Sequence, residues 1–579
     1  MAAPDNNTSS SIVAFSITAN GTALPNTYAI HSITVCKEVN RIAYAVIILS
    51  DGDAATQDFE ISNTDGLIPG STIDIGAGWG TDTDSIFQGI IIKHSVKVRS
   101  NSSFLIIECR DVAVKMTTVN YSKYYSQVTD SDVIQQITGN YDVQANVDST
   151  SVTHEELVQY NVDDWSFVLC RADANAMLCL NEDGNLKISK PDFSGSSDLT
   201  ITFGLDMLEF DAEIDNRLQP VGVKATAWDY TNQDLVDGVE GSDPSATTPG
   251  NLSADDLAQE VAADEVQLMH SGQVQQDELQ SWADSRMLRH RLAMVRGKVK
   301  IAGTSKLSLG KIITLAGVGD RFNGDAYITG LRHSVEDGVW QTTIQFGIDP
   351  EWFAYKREIK TNDADTMLPG LKGLHVGVVT KLEGDPTGDN RIQVRIPVID
   401  SADDGVWSRV STLDAGNNRG TFWLPEINDE VIVGFINGDP RFSVVLGMMN
   451  SSANPAPLTA SDDNNQKGYF SRSGIQMLFD DDKKNLLIKT PGGNQIFVDD
   501  DQQQIVLQDS NNNKITMNSD GIKVDCAGTL EMTAQKDVKI SGANVTLTAN
   551  EAFKASGQSG SEVSSSANTV VKGSIVQIN

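Results

Sequence analysis

The sequence predicts a mainly β protein in three parts: a strand-rich N-terminal region with a few helices, a small closed barrel, and a repetitive β tail. Three observations carry this. Over residues 10–125, runs rich in β-branched residues such as "IAYAVIIL" (42–49) and "IFQGIIIKHSVKV" (86–98) are separated by Gly, Asn and Asp clusters, which suits a barrel or curled sheet. About 85 residues after "KTNDADTMLPG" hold five or so short strands, the size of a closed barrel of the OB type. Beyond residue 470, apolar residues come in i, i+2 pairs that recur along the chain.

In the N-terminal region, "DSDVIQQI" (130–137) reads as a helix capped by Asp130 or Ser131, and "NVDDWSFVLCRADA" (161–174) as another. "CLNEDGNLKI" (179–188) is a hairpin around Asp183-Gly184. Strands resume over 214–229. Residues 230–272 are acidic and carry Ser, Pro and Gly, the composition of a mobile surface insertion. From Gln275 to Arg296 a helix is expected, with Leu279, Trp282, Ala283 and Met287 on one face as core packing. A further β region closes near Gly347. The expected boundaries are 1–360 for this region, a linker over 361–370, the OB barrel over 371–455, a second linker over 456–469, and the tail over 470–579.

Within the barrel, "LPEINDEVIVGFINGDPRFSVVLG" (424–447) is a β-hairpin broken at Asn437-Gly438-Asp439-Pro440. In the tail the pairs are Ile496 with Val498, Ile505 with Leu507, Ile515 with Met517, Ile522 with Val524, Leu530 with Met532, Val538 with Ile540, and Val545 with Leu547, a repeat of about eight residues. Each unit is one short strand with two inward sites and a polar corner. Burying these 14 side chains would release about 20 to 40 kcal/mol gross per chain, and a strand this short has no partner surface of its own. A triangular β-prism shared by three chains, with these 14 residues as its trimer core, fits the eight-residue step better than a single-chain β-helix or an irregular adhesive tail.

Composition narrows function. The chain has 44 Lys and Arg against 78 Asp and Glu, a net charge of −34, which disfavours nucleic acid and anionic lipid as partners. There is no run of 18 apolar residues, and Met1 to Ser11 is polar, so the expectation is a protein made in the cytoplasm without a signal peptide. Five scattered cysteines (Cys36, Cys109, Cys170, Cys179, Cys526) with no CxxC pair read as buried apolar groups. The seven histidines (His31, His94, His154, His270, His290, His333, His375) include no HExxH and read as surface or hydrogen-bonded groups; no metal site and no cofactor is expected. GxSxG and GxxxxGK[ST] are absent from the sequence. "DDD" at 480–482 and 499–501 reads as polar turns, with an inter-chain cation site as the alternative. Trp407, Phe422 and Trp423 near Arg409 and Arg419 could form an oligonucleotide or sugar site, but core or trimer packing is favoured.

The order of parts resembles the VgrG-type spike proteins of type VI secretion and of phage-tail-like contractile injection systems. The resemblance rests on "DDWSFVLCRADAN", on "GDRFNGDAYITGLRHSVEDGVWQTTIQFG", and above all on "LPEINDEVIVGFINGDP". There Pro425, Glu426, Asp429, Glu430, Val431, Val433, Phe435, Gly438, Asp439 and Pro440 match the family's signature. It implies a homotrimer whose N-terminal hub of paired barrels meets the inner-tube protein and the baseplate, whose OB domain is the neck, and whose prism is a needle. Such a needle carries a PAAR-repeat protein or effector at its tip, here Ser574, Ile575, Val576, Gln577, Ile578 and Asn579, and touches the target membrane when the particle fires. The resemblance implies no enzyme activity in the chain itself and places the protein in a translocated or released particle. The competing expectation is a β-helical enzyme that degrades cell wall or polysaccharide.

Overall fold

The computed structural model describes residues 12–261, 264–349, 351 and 368–578. The chain divides into two compact units, Met1–Gly370 and Leu371–Asn579. The predicted linker at 361–370 lies largely outside the described residues.

In the first unit the expected barrels take the form of one 13-stranded sheet over two separate apolar cores. One core gathers Ile33, Ile47, Ile75, Phe87, Ile107 and their neighbours, and the other gathers Val299, Ile313, Leu331, Ile344 and Phe346. The halves are fused where Ile30–Glu38 pairs antiparallel with Gly324–Glu336, a contact between segments some 300 residues apart in sequence. Alternation is clean: in Tyr44–Ser50, Ala45, Ile47 and Leu49 are fully buried while Val46 and Ile48 are only half-buried on the other face.

Among the described residues four α-helices lie in this unit. Helix α1 (Asp130–Thr138) is capped by Thr129 rather than by the expected Asp130 or Ser131, because Thr129 and Asp132 satisfy each other's backbone in a capping box. Helix α2 (Asp164–Ala174) is capped by Asp163. The two pack with the hairpin Leu178–Glu182/Asn185–Ser189, whose turn places Asp183 and Gly184 at positive φ, as the sequence predicts.

The stretch 230–272 departs from the mobile insertion expected of it. Val239–Glu240 and Val266–His270 flank the strand Val223–Asp229, and α3 (Ala254–Val261) lies between them. Helix α4 (Gln276–Ala293) packs Leu279, Ala283 and Met287 onto Val223, Ala225 and Ala227, so the predicted stripe is core. The acidic composition concealed this because two of its carboxylates are spent on one buried arginine: Asp243 and Asp255 both hold Arg291.

The second unit opens with a closed five-stranded barrel. Its strands are His375–Lys381, Ile392–Arg395, Val406–Val410, Glu430–Phe435 and Ser443–Met448, around Val379, Ile392, Val394, Val431, Val433 and Val445. The hairpin at 424–447 is present, with Asn437 and Gly438 both at positive φ. A seven-stranded antiparallel meander follows, from Gln466–Phe470 to Gly521–Asp525. Its first strand starts inside the stretch read as linker.

The last three predicted pairs lie outside the strand ladder of the single chain. Residues 526–578 carry no strand, and Leu530, Met532, Val538, Ile540, Val545 and Leu547 all stand exposed outside the ladder, Met532 at 66%. The physical reason is the one the repeat itself gives: after Gly521–Asp525 a single chain has no further strand edge or apolar surface against which these short units could pair and bury.

Candidate assembly interface

The meander has one apolar face, and its register fixes which residues form it. Directly opposed residues of an antiparallel pair share a face. Ile488 opposes Ile496, Ile496 opposes Leu507, Leu507 opposes Ile515, and Ile515 opposes Val524. A second row runs beside it through Leu486, Val498, Ile505, Met517 and Ile522. The first four predicted pairs therefore line a single face. The same face extends to Tyr469, Met477, Phe479, Leu486 and Ile488, which the sequence reading missed although Met477 with Phe479 and Leu486 with Ile488 share the i, i+2 spacing.

One chain does not cover this face. Ile496, Ile505, Leu507 and Ile515 stay exposed, and toward the end of the ladder Ile522 reaches 74% and Val524 50% exposure. The reverse face carries Leu478, Leu487, Phe497 and Val506 and then turns polar at Thr516 and Lys523; of these only Val506 is buried. A contiguous row of large apolar groups in water is the character of an interaction surface.

The corners between strands are held by aspartates. Asp480 accepts from the Lys483 amide and Asp499 from the Gln502 amide, both carboxylates being buried in their turns. Asp509 accepts the amides of Asn511 and Asn513. The "DDD" runs thus act as turn formers. Among the described residues no group of three or more His, Cys, Asp or Glu could hold a metal ion.

Around the barrel, Phe422 and Trp423 are exposed, and the Trp423 ring meets Tyr469 at 5.5 Å. Arg419 is engaged with Asp414 at 2.6 Å, which takes it out of any basic strip. The predicted tip residues Ser574 to Ile578 are exposed, and Asn579 lies outside the described residues.

The histidines and thiols largely have structural partners. His94 bonds Ser62 and the Leu67 carbonyl, His154 bonds Asp130, and His333 bonds Thr342. Burial pushes the Cys109 thiol up to about 12 and Cys170 to about 11. Cys526 departs from the expectation of burial: it is exposed, just past the last strand. No helix among the described residues is long and apolar enough to cross a membrane.

Comparison with known proteins finds matches to three segments of the chain. Residues 9–337 match the family described as the Alg8 N-terminal domain, 375–449 the type VI secretion system/phage-baseplate injector OB domain, and 485–551 the phage baseplate V C-terminal trimerisation domain. Similar curated proteins include the type VI secretion system spike proteins VgrG1a, 26% identical over 200 residues, and VgrG1b, 30% identical over 115 residues, both from Pseudomonas aeruginosa. These alignments cover 32% and 19% of this chain and 30% and 16% of those proteins, so the chain matches less than a third of their length. Among solved structures, a tail protein from Neisseria meningitidis aligns with a TM-score of 0.44 at 14% identity, covering 59% of this chain and 98% of that one. A chain of a lidded Francisella PdpA–VgrG complex aligns with a TM-score of 0.39 at 9% identity, covering 86% of this chain and 80% of that one. The Alg8 N-terminal domain model spans more than half of the chain, so the chain belongs to that family, and the injector OB and baseplate trimerisation domains that follow, with the VgrG relatives, make it a VgrG-type spike protein of type VI secretion and phage-tail-like contractile injection systems.

Proposed function

We propose that the chain works as the central spike of a contractile injection apparatus: a homotrimer that caps the inner tube, pierces a target membrane and carries a tip protein or effector. The observation that carries this reading is the apolar face of the meander, 13 residues from Tyr469 to Val524 in unbroken cross-strand register, eight of them left exposed by their own chain. Three such faces turned inward would bury one another, and ladder hydrogen bonds along each wall would give the prism its stiffness. The match of 485–551 to a trimerisation domain supports the same arrangement.

In this reading Leu530, Met532, Val538, Ile540, Val545 and Leu547 continue the seam once three chains supply strands to one another. Ser574 to Asn579 end it as a platform for a PAAR-repeat protein or effector, and the N-terminal unit meets the inner tube and baseplate. Enzyme activity belongs to the cargo rather than to this chain. The degradative alternative is less well supported, because the turns between tail strands are short and their acids are spent on backbone amides.

The test is the solution mass of the purified full chain by multi-angle light scattering, beside a truncation ending at Ala460. A full-length trimer that falls to lower mass on truncation is expected. A full-length monomer would sink the shared prism.

A further inference from the structure

The outer face of the 13-stranded sheet, where its two halves join, forms the floor of a groove of about 1260 Å³ within the first unit. One cross-strand rung runs along it: Lys300 opposes Thr343, Thr343 opposes Arg332, Arg332 opposes Cys36, Cys36 opposes Tyr44, and Tyr44 opposes Arg110. All of these residues line the groove.

The charges on this rung are not balanced. Lys300 is neutralised by Glu209 at 2.5 Å. Arg332 and Arg110 have no hydrogen-bonded carboxylate among the described residues, in a chain that carries 78 acidic groups. Arg110 lies with its Cζ 4.7 Å from the centre of the Tyr44 ring, a stacking that leaves the guanidinium edge free to donate. Between the two cations stand Cys36 and Tyr44. Burial, against a hydrogen bond from Tyr44, raises the Cys36 thiol, and the hydrogen bond to Cys36 and then burial raise the Tyr44 hydroxyl, so both are neutral at pH 7 and cancel neither charge.

Arg332 and Arg110 are three strand spacings apart, about 14 Å at roughly 4.8 Å each. An extended peptide advances about 3.3 Å per residue, so residues i and i+4 lie about 13 Å apart and point to the same side. We propose that this groove receives an extended polypeptide segment of another protein bearing two carboxylates four residues apart, one for Arg332 and one for Arg110. Ser334, Gln341 and Gln345 on the adjoining rungs supply donors and acceptors for its backbone. Glu209 and Glu38 at the groove are paired with Lys300 and Arg41, but Asp163, Glu336, Asp349 and Glu351 also line it; they repel a continuous phosphate backbone but leave room for two spaced carboxylates, so a peptide fits where a nucleic acid does not. This inference is independent of the oligomeric state.

The test is fluorescence anisotropy of the purified full chain with a labelled Ser/Thr-rich dodecapeptide carrying Glu at i and i+4. Its controls are a Glu i, i+3 version, a version with Lys in both places, and a dT oligonucleotide. The i, i+4 probe is expected to bind at least tenfold more tightly than the i, i+3 probe, and R110E/R332E is expected to lose that binding and to prefer the Lys probe. The single variant Arg332→Gln, at an exposed position, is expected to weaken binding severalfold with an unchanged melting temperature. Absence of saturable binding, equal binding by wild type and variants, or tighter binding of the oligonucleotide would overturn the proposal.

Discussion

Asp243 receives an ion pair of 2.8 Å from Nε of Arg291, a guanidinium only 5% exposed near the end of α4. Asp255 takes Nη2 of the same group at 2.9 Å, and the Pro220 carbonyl accepts from Nη1 at 3.3 Å. Both carboxylates belong to the acidic stretch 230–272, so a buried cation in the core helix holds that stretch down. Gly241 reinforces this: a Cβ there would come within 2.6 Å of the Ala283 carbonyl on α4.

D243A/D255A leaves the guanidinium buried with only a carbonyl partner, which costs about 3 kcal/mol. The expected result is a lower melting temperature and new proteolytic cleavage confined to 230–272. Cleavage no faster than in wild type would show that the strands flanking Val223–Asp229 suffice without the ion pairs.

Acid should weaken the first unit in two separate windows. Burial, with Arg286 nearby, pushes His290 down to about 4, and burial, with Lys37, pushes His333 down to about 3. Both are neutral in the fold, so the unfolded chain takes up protons first as pH falls below about 6.5. Stability is then lost from there down toward pH 4 at about 1.4 kcal/mol per pH unit per histidine. Asp130 acts lower. Burial raises its carboxyl, but hydrogen bonds from His154, Arg171 and Asn175 outweigh this and hold it below the usual range, so its contribution is present above about pH 4 and fades beneath it. Melting temperature should fall between pH 7 and pH 5 in wild type and less steeply in His333→Gln, while Asp130→Asn should be destabilised at pH 7 and keep the slope between pH 7 and pH 5. An unaltered slope in His333→Gln would remove that histidine from the account.

The barrel hairpin turns through Asn437 and Gly438 at φ 53° and 67°. Left-handed backbone costs an L-residue with a Cβ about 1 to 2 kcal/mol. Gly438→Val should therefore lower the stability of the barrel by at least that amount, and Gly438→Asn by less, since Asn tolerates the left-handed region. Thermal melts of the two variants compare them directly, and equal melting temperatures would mean that the turn is set by the strands rather than by its residues.

Much of this architecture is legible locally. Asp183-Gly184 and Asn437-Gly438 set two turns through φ values that neighbouring residues alone determine, whereas the start of α1 was placed one or two residues late because Thr129, not Asp130 or Ser131, closes the box with Asp132. The apolar face of the tail was legible from Ile496 onward because the period of two is local. That same period runs on through Leu530, Met532 and Val538, where one chain alone forms no ladder, because a local pattern marks which residues face inward and not whether a partner strand is at hand. The fusion of the two halves through Ile30–Glu38 and Gly324–Glu336 was not legible, since pairing across 300 residues leaves no mark in either strand. Nor was the order in 230–272, because Asp243 and Asp255 look like solvating charge until Arg291 is seen between them. The Arg332 to Arg110 rung likewise draws on four strands that sequence alone does not align.

The face from Tyr469 to Val524 yields the most direct prediction about assembly. Leu507 lies on the apolar face, opposite Ile496 and Ile515, whereas Thr516 points to the other side, opposite Val506 and Lys523. A charge at Leu507 sacrifices about 2 to 3 kcal/mol of apolar burial in each chain and places a carboxylate in the seam, so a trimer loses the effect three times over. Leu507→Asp should appear by light scattering at a mass below that of the trimer, and Thr516→Asp at the full trimer mass. Ile540→Asp extends the test beyond the ladder: it should weaken the trimer only if residues 526–578 join the shared seam. If Leu507→Asp and Ile540→Asp both remain fully trimeric while a truncation at Ala460 does not, the apolar face is not the contact surface and the chains must associate through other parts of the tail.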